Sequence, residues 1–278
     1  MRCTVFLAAA AAFLSSPAFA QEVEAPLPDP ETARDNWTVA IGAAMTPDYV
    51  GSDDYRVIPA VAVRGTIGSI SLSTKSTYLY ADLFPRGKGI DIDAGPIVGV
   101  RLNRTGKIKD DLVDLLPERK TAIEVGGFAG ISLHNITNPY DSLSFRLDVL
   151  HDVGKAHKST VFSPNIDFST PLSRTTYGSV SLGAEFVSNR FADYYFSISP
   201  AESVVSGLPA FNADGGMKNW KVGLLLNQSI TGDLTGGLSI FGVANYSRLL
   251  GDFKRSPIVS DRGSANQWLL GAGLAYTF

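Results

Sequence analysis

Apolar and polar residues alternate along most of the chain with a period of two. In the last twelve residues, one face carries only apolar side chains: Trp268, Leu270, Ala272, Leu274, Tyr276 and Phe278. Because successive side chains of a β-strand point to opposite faces, this pattern predicts strands with one continuous apolar face. The opposite faces are rich in Gly, Ser, Ala and Thr, small residues that fit the crowded interior of a modest closed barrel.

Twelve segments follow this pattern: 36–46, 55–65, 67–84, 90–103, 121–135, 143–152, 158–168, 176–187, 191–199, 218–230, 234–247 and 266–278. Most have about ten to fourteen residues, near the length that a tilted strand needs to cross a membrane. Residues 67–84 are interrupted at Lys75 and Ser76, and splitting them would give an odd number of strands, whereas bacterial single-chain barrels have even numbers. The sequence therefore predicts an all-β transmembrane antiparallel β-barrel of about twelve strands, with fourteen as the alternative.

The first twenty residues have the features of a cleaved secretory signal peptide. A positive start at Arg2 is followed by the apolar run 5–14 and by the small residues Ala18 and Ala20. Residues 21–35 are acidic and Pro-rich, which predicts a flexible periplasmic lead-in, and 36–278 would form the barrel. No later run approaches the roughly 18 apolar residues of a transmembrane helix. The predicted location is the bacterial outer membrane.

Composition narrows the choice of function. Only 18% of the residues are charged and 27 of the 278 are Gly, whereas soluble domains have about 25% charged residues and about 7% Gly. A single Cys excludes a disulfide framework and Cys-based metal sites. The formal net charge of -3 argues against an electrostatic nucleic-acid binder. We predict no cofactor, no metal and no nucleic-acid partner.

The connections between strands predict an orientation. With both termini in the periplasm, the short connections 189–190 and 231–233 fall on the periplasmic side, and the long connections 200–217 and 249–265 fall outside. Arg104–Lys120 is also predicted to be periplasmic, although it is long for a periplasmic turn.

Arg104–Lys120 carries a candidate partner-binding surface. Its apolar residues recur at roughly helical spacing: Ile108, Leu112, Leu115 and Leu116. One hypothesis is a short amphipathic helix that offers this face to a periplasmic protein. The alternative is a turn that packs under the barrel or into its lumen, because an apolar face more often seals its own protein.

Two further sets of residues follow from the predicted strands. Charges on the lipid face would cost about 2–4 kcal/mol each at the midplane, so the charged residues of the strands are predicted to face the lumen: Asp91, Asp93, Arg101, Glu124, Arg146, Asp148, Glu185 and Lys221. Their mixed signs fit a narrow channel or a closed ion-pair network. The apolar row of the closing strand is the candidate signal for the barrel-assembly machinery: Trp268, Leu270, Leu274, Tyr276 and Phe278.

His157 and Ser159 raise an enzymatic alternative, because they lie two residues apart on one strand face. A lipid-modifying barrel enzyme could hold a general base beside its nucleophile in this way. The predicted topology places both residues at the periplasmic end, whereas lipopolysaccharide occupies the outer leaflet. The sequence also identifies no third group to orient the base. We therefore predict that the protein is not an enzyme and has no catalytic residues.

Four stretches together resemble the MltA-interacting protein (MipA) / OmpV family of outer-membrane proteins. They are Pro47–Arg56 with Pro59, Glu124–Phe128, Tyr246–Asp252 with Ser256 and Pro257, and the closing Gly273–Phe278. The resemblance implies an outer-membrane scaffold that joins a murein-degrading lytic transglycosylase to a murein synthase. It brings no catalytic residues. A passive outer-membrane channel for small solutes is the alternative function.

Overall fold

The computed structural model describes residues 36–84 and 89–278. Twelve antiparallel strands form one closed barrel, in which each strand pairs with its neighbours in the chain and β1 pairs with β12. The strands are β1 (Trp37–Pro47), β2 (Tyr55–Ile67), β3 (Ile70–Lys75), β4 (Tyr78–Asp82), β5 (Ile90–Arg101), β6 (Ala122–His134), β7 (Ser142–Asp152), β8 (Thr160–Pro171), β9 (Thr176–Val187), β10 (Gly216–Ser229), β11 (Gly237–Leu249) and β12 (Asn266–Thr277). The predicted fold and strand count are confirmed.

Within residues 36–84 and 89–278, four short helices lie between strands: α1 (Asn189–Phe196), α2 (Pro200–Ser206), α3 (Gly251–Arg255) and α4 (Pro257–Ser260). In the described ranges, no helix has the length and apolar character to span a membrane. The predicted signal peptide, 1–20, and the predicted lead-in, 21–35, lie outside the described residues.

The first and last strands close the barrel by ordinary antiparallel pairing. Their register runs from Thr38 opposite Thr277 to Met45 opposite Leu270. At one end of the seam the two Thr hydroxyl oxygens lie 2.8 Å apart. Near its middle, a Cβ added at Gly42 would lie 2.2 Å from the carbonyl oxygen of Ala272, so the two backbones pass too close for a side chain there. Closure leaves no unpaired edge in the sheet.

The alternation in the sequence corresponds to the two faces of the sheet. Large apolar side chains such as Ile41 and Ile92 are exposed on the outside, at 60% and 59% of their surface. The apolar row of β12 is exposed on the same outer face: Trp268, Leu270, Leu274, Tyr276 and Phe278. The opposite face of β12 is buried at Leu269 and Ala275. An apolar exterior of this kind fits contact with lipid.

Two of the predicted strands are wrong, and the errors cancel in the strand count. Residues 67–84 form two strands, because a tight turn reverses the chain at Ser76, which has φ +53°. Residues 191–199, predicted as a strand, lie mainly in α1, whose buried residues Phe191, Ala192, Tyr195 and Phe196 recur at helical spacing. One strand is gained and one is lost.

Because of these two errors, every strand between Ser76 and α1 runs in the direction opposite to the predicted one. Arg104–Lys120, the connection at 189–190 and the segment that contains His157 and Ser159 all lie at the end opposite the chain termini, not at the end that carries them. The long connections 102–121, 188–215 and 250–265 are now all at one end. We call that end the cap end, and the end with the chain termini the terminal end.

Candidate functional site

The connections at the cap end pack into a hydrophobic core of their own. This loop cap consists of residues 48–54, 102–121, 153–159, 188–215 and 250–265. Its largest fully buried side chains come from three different connections: Tyr49, Phe191, Tyr195, Phe196, Ile198, Phe253 and Ile258. They continue into lumen residues of the barrel wall, Val161, Val187 and Leu249. Because these connections leave the barrel at strands around its circumference, their shared core covers the cap end of the lumen.

The predicted partner-binding face lies within this core. Ile108 and Leu116 are buried, Leu112 packs against the cluster, and Leu115 is 52% exposed. The segment forms turns rather than the predicted helix, held by Asp110 and Asp114, whose carboxylates accept backbone N–H groups of the same segment. The predicted amphipathic helix is therefore wrong, and the alternative, a turn that packs against its own barrel, agrees with the structure.

The first connection, 48–54, fastens the cap to the barrel. The hydroxyl of Tyr49 donates to the carbonyl oxygens of Ile258 and Arg262, at 2.8 and 3.0 Å. The carboxylate of Asp48 accepts the backbone N–H of Lys109 at 2.8 Å and forms an ion pair with Arg56 at 3.0 Å. This connection therefore joins two distant cap segments to the start of β2.

Both the backbone conformation and the packing at position 51 in this connection require a glycine. Its φ is +102°, and an added Cβ would lie 2.3 Å from Cγ2 of Val259. Because both the conformation and the space exclude a side chain, Gly51→Ala should lower the free energy of unfolding by about 1–3 kcal/mol. Urea titration of the refolded barrel measures this loss. Gly232→Ala is the matched control, because nothing lies within 4 Å of its added Cβ, and an equal effect in both variants would contradict the prediction.

Beneath the cap, charged side chains connect opposite walls of the lumen. Glu124 on β6 accepts hydrogen bonds from Arg101 Nε at 2.9 Å and Nη2 at 3.2 Å, and from the hydroxyl of Tyr78. Arg101 also lies 3.1 Å from Glu185 on β9, which is paired in turn with Lys218 on β10. The ring of Phe191 in α1 lies 5.3 Å from both Arg101 and Lys218, on the cap side of these pairs. We call these five polar residues, with His157, the lumen network.

His157 links the lumen network to Ser159. Its Nε2 lies 2.9 Å from Glu124 Oε1, and its Nδ1 lies 2.8 Å from the hydroxyl oxygen of Ser159. An ionised carboxylate can only accept, so Nε2 donates to Glu124 and Nδ1 can accept from Ser159. The intervening Lys158 has φ +49°, in the left-handed region where side chains other than Gly are uncommon.

Glu124 supplies the third group that the sequence did not identify. The pair lies at the cap end, opposite to the predicted end of the barrel. A nucleophile, base and orienting acid in this order can perform acyl transfer where a substrate reaches the serine. Here the side chains of His157 and Glu124 are fully buried, and the rings of Phe191 and Tyr195 lie 5.0 and 5.8 Å from the imidazole. The arrangement ties the cap to the barrel wall and is enclosed by it.

A cavity of about 730 Å³ occupies the lumen towards the terminal end. Its wall combines hydroxyl, charged and aromatic side chains, among them Ser132, Ser144 and Tyr80. Four of the residues predicted to face the lumen lie at this cavity or in its floor: Asp91, Asp93, Arg146 and Asp148. In the floor, Arg146 Nε and the hydroxyl of Tyr80 donate to Asp148 at 2.8 and 3.1 Å.

The other four predicted lumen charges lie nearer to the cap end of the barrel. Arg101, Glu124 and Glu185 belong to the lumen network. The aliphatic part of Lys221 lies against Gly183 on the inner face of the sheet. Across residues 36–84 and 89–278, no group of three or more His, Cys, Asp or Glu side chains could hold a metal ion.

Sequence reasoning missed the loop cap and the contacts within the lumen network. The cap had local signals. Residues 199–202 form a capping box in which the Ser199 hydroxyl accepts from the Glu202 N–H, and Gly207 ends α2 with φ +75°. The partners of Glu124 had no such signal, because His157 lies 33 residues away and meets it only through the pairing of β6, β7 and β8.

The sequence matches a protein family and an outer membrane protein. The family described as MltA-interacting protein MipA matches residues 39–278. Outer membrane protein Omp26La of Vibrio anguillarum is 32% identical over 168 residues, which span 59% of this chain and 57% of that protein.

Among solved structures, the toluene transporter TbuX of Ralstonia pickettii is 9% identical, with 90% of each chain covered and a TM-score of 0.38. An outer membrane channel of Pseudomonas putida F1 is 8% identical, with 92% of this chain and 97% of that chain covered and a TM-score of 0.44.

Proposed function

The chain belongs to the MltA-interacting protein MipA family of outer-membrane β-barrels, and from this premise we propose that it is a closed scaffold for murein enzymes. It holds a murein lytic transglycosylase of the MltA kind at the periplasmic face of the outer membrane and brings it near a murein synthase. The observation that carries this proposal is the difference between the two ends of the barrel. Loops and ion pairs fill the cap end, whereas the lumen cavity lies at the terminal end.

The lengths of the connections support a periplasmic position for the terminal end. Outer-membrane barrels have short periplasmic turns and longer extracellular loops. Here the connections 68–69, 135–141, 172–175 and 230–236 are at the terminal end, and the longest connections form the cap. The signal peptide predicted at 1–20 would agree with export to this location. The cap then faces outwards, and the terminal end faces the murein.

The filled cap end favours a scaffold over a passive channel. A solute that crosses the barrel would have to pass the core around Phe191 and Phe253 and then the pairs of Arg101 with Glu124 and Glu185. Charged groups that bind each other across a lumen do not form an open aqueous path. We propose that the lumen network holds the cap in place, not that it conducts ions.

The turns of the terminal end offer a surface for a periplasmic partner. Large apolar side chains of these turns are exposed between 46% and 61%, among them Ile136, Tyr140, Leu172 and Ile230. Two charged residues of these turns, Arg174 and Asp233, line the cavity together with Tyr140 and Leu172. Exposed apolar groups with a polar rim are typical of protein interaction sites. This surface replaces Arg104–Lys120 as the candidate contact for the transglycosylase.

Site-specific photo-crosslinking in intact envelopes tests the proposal. A photo-reactive amino acid is placed at Tyr140 or Leu172 in the turns, and at Val204 in the cap as a control, since Val204 is 86% exposed. We expect the turn positions to crosslink a murein lytic transglycosylase, identified by mass spectrometry, and Val204 to give no such product. Absence of the transglycosylase from both turn products, or its capture at Val204 alone, would contradict the proposal.

We also propose that Ser159 has a structural role and that the protein is not an enzyme. Its hydroxyl is buried and bonded to His157, so a fluorophosphonate probe for nucleophilic serines should not label the purified barrel. The measurement is gel fluorescence after probe treatment, with Ser159→Ala as the control. Labelling of the natural protein that disappears in Ser159→Ala would show a reactive serine and refute the structural role.

A further inference from the structure

The loop cap contains a buried cation without a hydrogen-bond acceptor. Arg104 is only 3% exposed, and none of its three guanidinium nitrogens has a hydrogen-bond partner within the part of the chain that the structure describes. Its backbone has φ +54°, in the left-handed region. Buried guanidinium groups normally use several of their five N–H donors, because an unmet buried donor costs about 1–3 kcal/mol. Arg104 is therefore an exception that needs a physical reason.

The groups around Arg104 do not neutralise it. The charged groups that act on it most strongly are Arg119, with the same sign, and Glu202. Glu202 is already engaged, because its Oε1 lies 3.4 Å from Arg119 Nη2 and its Oε2 accepts the N–H of Ser199 at 2.7 Å. Two cations thus share one carboxylate.

Two other cap arginines have a carboxylate of their own: Arg262 lies 2.7 Å from Asp110, and Arg255 pairs with Asp252. Burial, with the neighbouring charge of Arg119, lowers the pKa of Arg104 to about 9, which leaves it cationic at neutral pH. A positive charge therefore remains in the cap without a counter-charge. An uncompensated buried charge of this kind is strongly destabilising unless another group neutralises it.

We propose that Arg104 and Arg119 bind a small phosphate-type oxyanion inside the loop cap. The planar guanidinium offers parallel N–H donors that match two oxygens of one oxyanion, a geometry that halides cannot use in the same way. Nε of Arg119 and the hydroxyl of Tyr195 are further buried groups that lack a hydrogen-bond partner among the described residues, and Tyr195 is close enough to act on Arg104. Together these groups provide donors from two cap segments, 102–121 and α1.

The phosphate group could come from free inorganic phosphate or from the lipopolysaccharide around the outer end of the barrel. Both present the same oxygens to Arg104. Binding would join the 102–121 connection to α1 through one ion, and would stabilise the cap. This inference does not depend on a murein partner, so either proposal can fail without the other.

The test measures the urea midpoint of the purified mature barrel in alkyl-maltoside micelles, which contain no phosphate. Tryptophan fluorescence reports unfolding while inorganic phosphate is titrated at constant ionic strength. We expect the natural protein to be stabilised, by about 100-fold in its folding equilibrium at one hundred times the Kd. Arg104→Gln should lose this response. Arg255→Gln should keep it, because Arg255 is a cap arginine whose side chain is 66% exposed.

The stabilities of the natural protein and of Arg104→Gln are also compared without phosphate. This comparison distinguishes an anion-binding Arg104 from an Arg104 that only stabilises the fold. If Arg104 carries an unmet charge, Arg104→Gln will be at least as stable as the natural protein without phosphate and less stable at saturating phosphate. Lower stability of Arg104→Gln under both conditions, with no phosphate response in the natural protein, would overturn the proposal. Should Arg104→Gln not fold, Arg119→Gln and Tyr195→Phe must each weaken the phosphate response.

A parallel titration with lipopolysaccharide distinguishes the two sources. Stabilisation by inorganic phosphate, lost in Arg104→Gln, shows a site for the free ion. Stabilisation by lipopolysaccharide alone, lost in the same variant, shows a site for a lipid phosphate. No Arg104-dependent stabilisation by either would refute the oxyanion site.

Discussion

Glu124→Ala is expected to lower the free energy of unfolding by about 3–5 kcal/mol, the cost of breaking a buried ion pair by removal of one partner. Arg101 would lose two hydrogen bonds, and Tyr78 and His157 would each lose one. Urea titration of the barrel refolded in lipid vesicles measures the change. The loss should exceed that of any single exposed cap residue.

Glu118→Ala is the matched control, because Glu118 is an exposed carboxylate of the loop cap. Its effect should remain within about 0.5 kcal/mol. Combining Glu124→Ala with Arg101→Met should cost less than the sum of the two single changes, since the second removes the stranded cation. Equal stability of Glu124→Ala and Glu118→Ala would show that the lumen network does not hold the barrel and cap together.

Phe191→Ala is expected to cost about 3–5 kcal/mol, since it leaves a cavity where the cap meets the lumen network. Phe191 is 1% exposed, and its ring centroid lies 4.8 Å from that of Tyr195 and 5.0 Å from that of His157. Its ring also faces Arg101 and Lys218. The loss should appear first in the cap, as faster proteolysis of 188–215, and then in global unfolding.

The comparison variant for Phe191→Ala is Val204→Ala in α2. Val204 is apolar and lies in the same connection, but it is 86% exposed. Its replacement should change neither the proteolysis rate nor the urea midpoint noticeably. If Phe191→Ala behaves like Val204→Ala, the aromatic core does not fasten the cap.

The sequence was sufficient to predict the barrel, because every membrane-facing strand must place apolar residues at every second position. It was not sufficient to predict the direction of the strands. The turn at Ser76 and Thr77 contains no Gly, Pro or Asn, the usual turn signals, so β3 and β4 resembled one interrupted strand. The pattern merges β3 with β4 and takes α1 for a strand. These two errors cancel, so an even number of strands agrees with the structure although two segments are wrong.

The evidence for α1 was present in the sequence. Its buried residues 191, 192, 195 and 196 follow a helical period, and Ser188 precedes them at the N-cap position. A period of two also fits this short segment, so the apolar pattern alone does not distinguish a helix from a strand here. Recognising α1 would have placed Arg104–Lys120 and His157 at the cap end.

The loop cap shows why the candidate site was harder to predict than the fold. Three of the stretches that carry the family resemblance contribute to the cap or the lumen network: Tyr49 binds the 250–265 connection, Glu124 organises the network, and Ser256 donates to the carbonyl oxygen of Phe196 at 2.6 Å. These contacts join residues up to 213 positions apart. Only the closed barrel brings them together, so the spacing of single motifs does not contain them.

Planar-bilayer recording is the most direct test of a barrel closed by its loop cap. The purified mature protein is added to one chamber, and a variant in which a short Gly/Ser linker replaces 190–213 provides the comparison, because that deletion removes Phe191, Tyr195 and Phe196. We predict that the natural protein inserts without conductance steps and that the deletion variant shows transient openings. Regular, long-lived conductance steps from the natural protein would contradict the closed barrel and favour a channel.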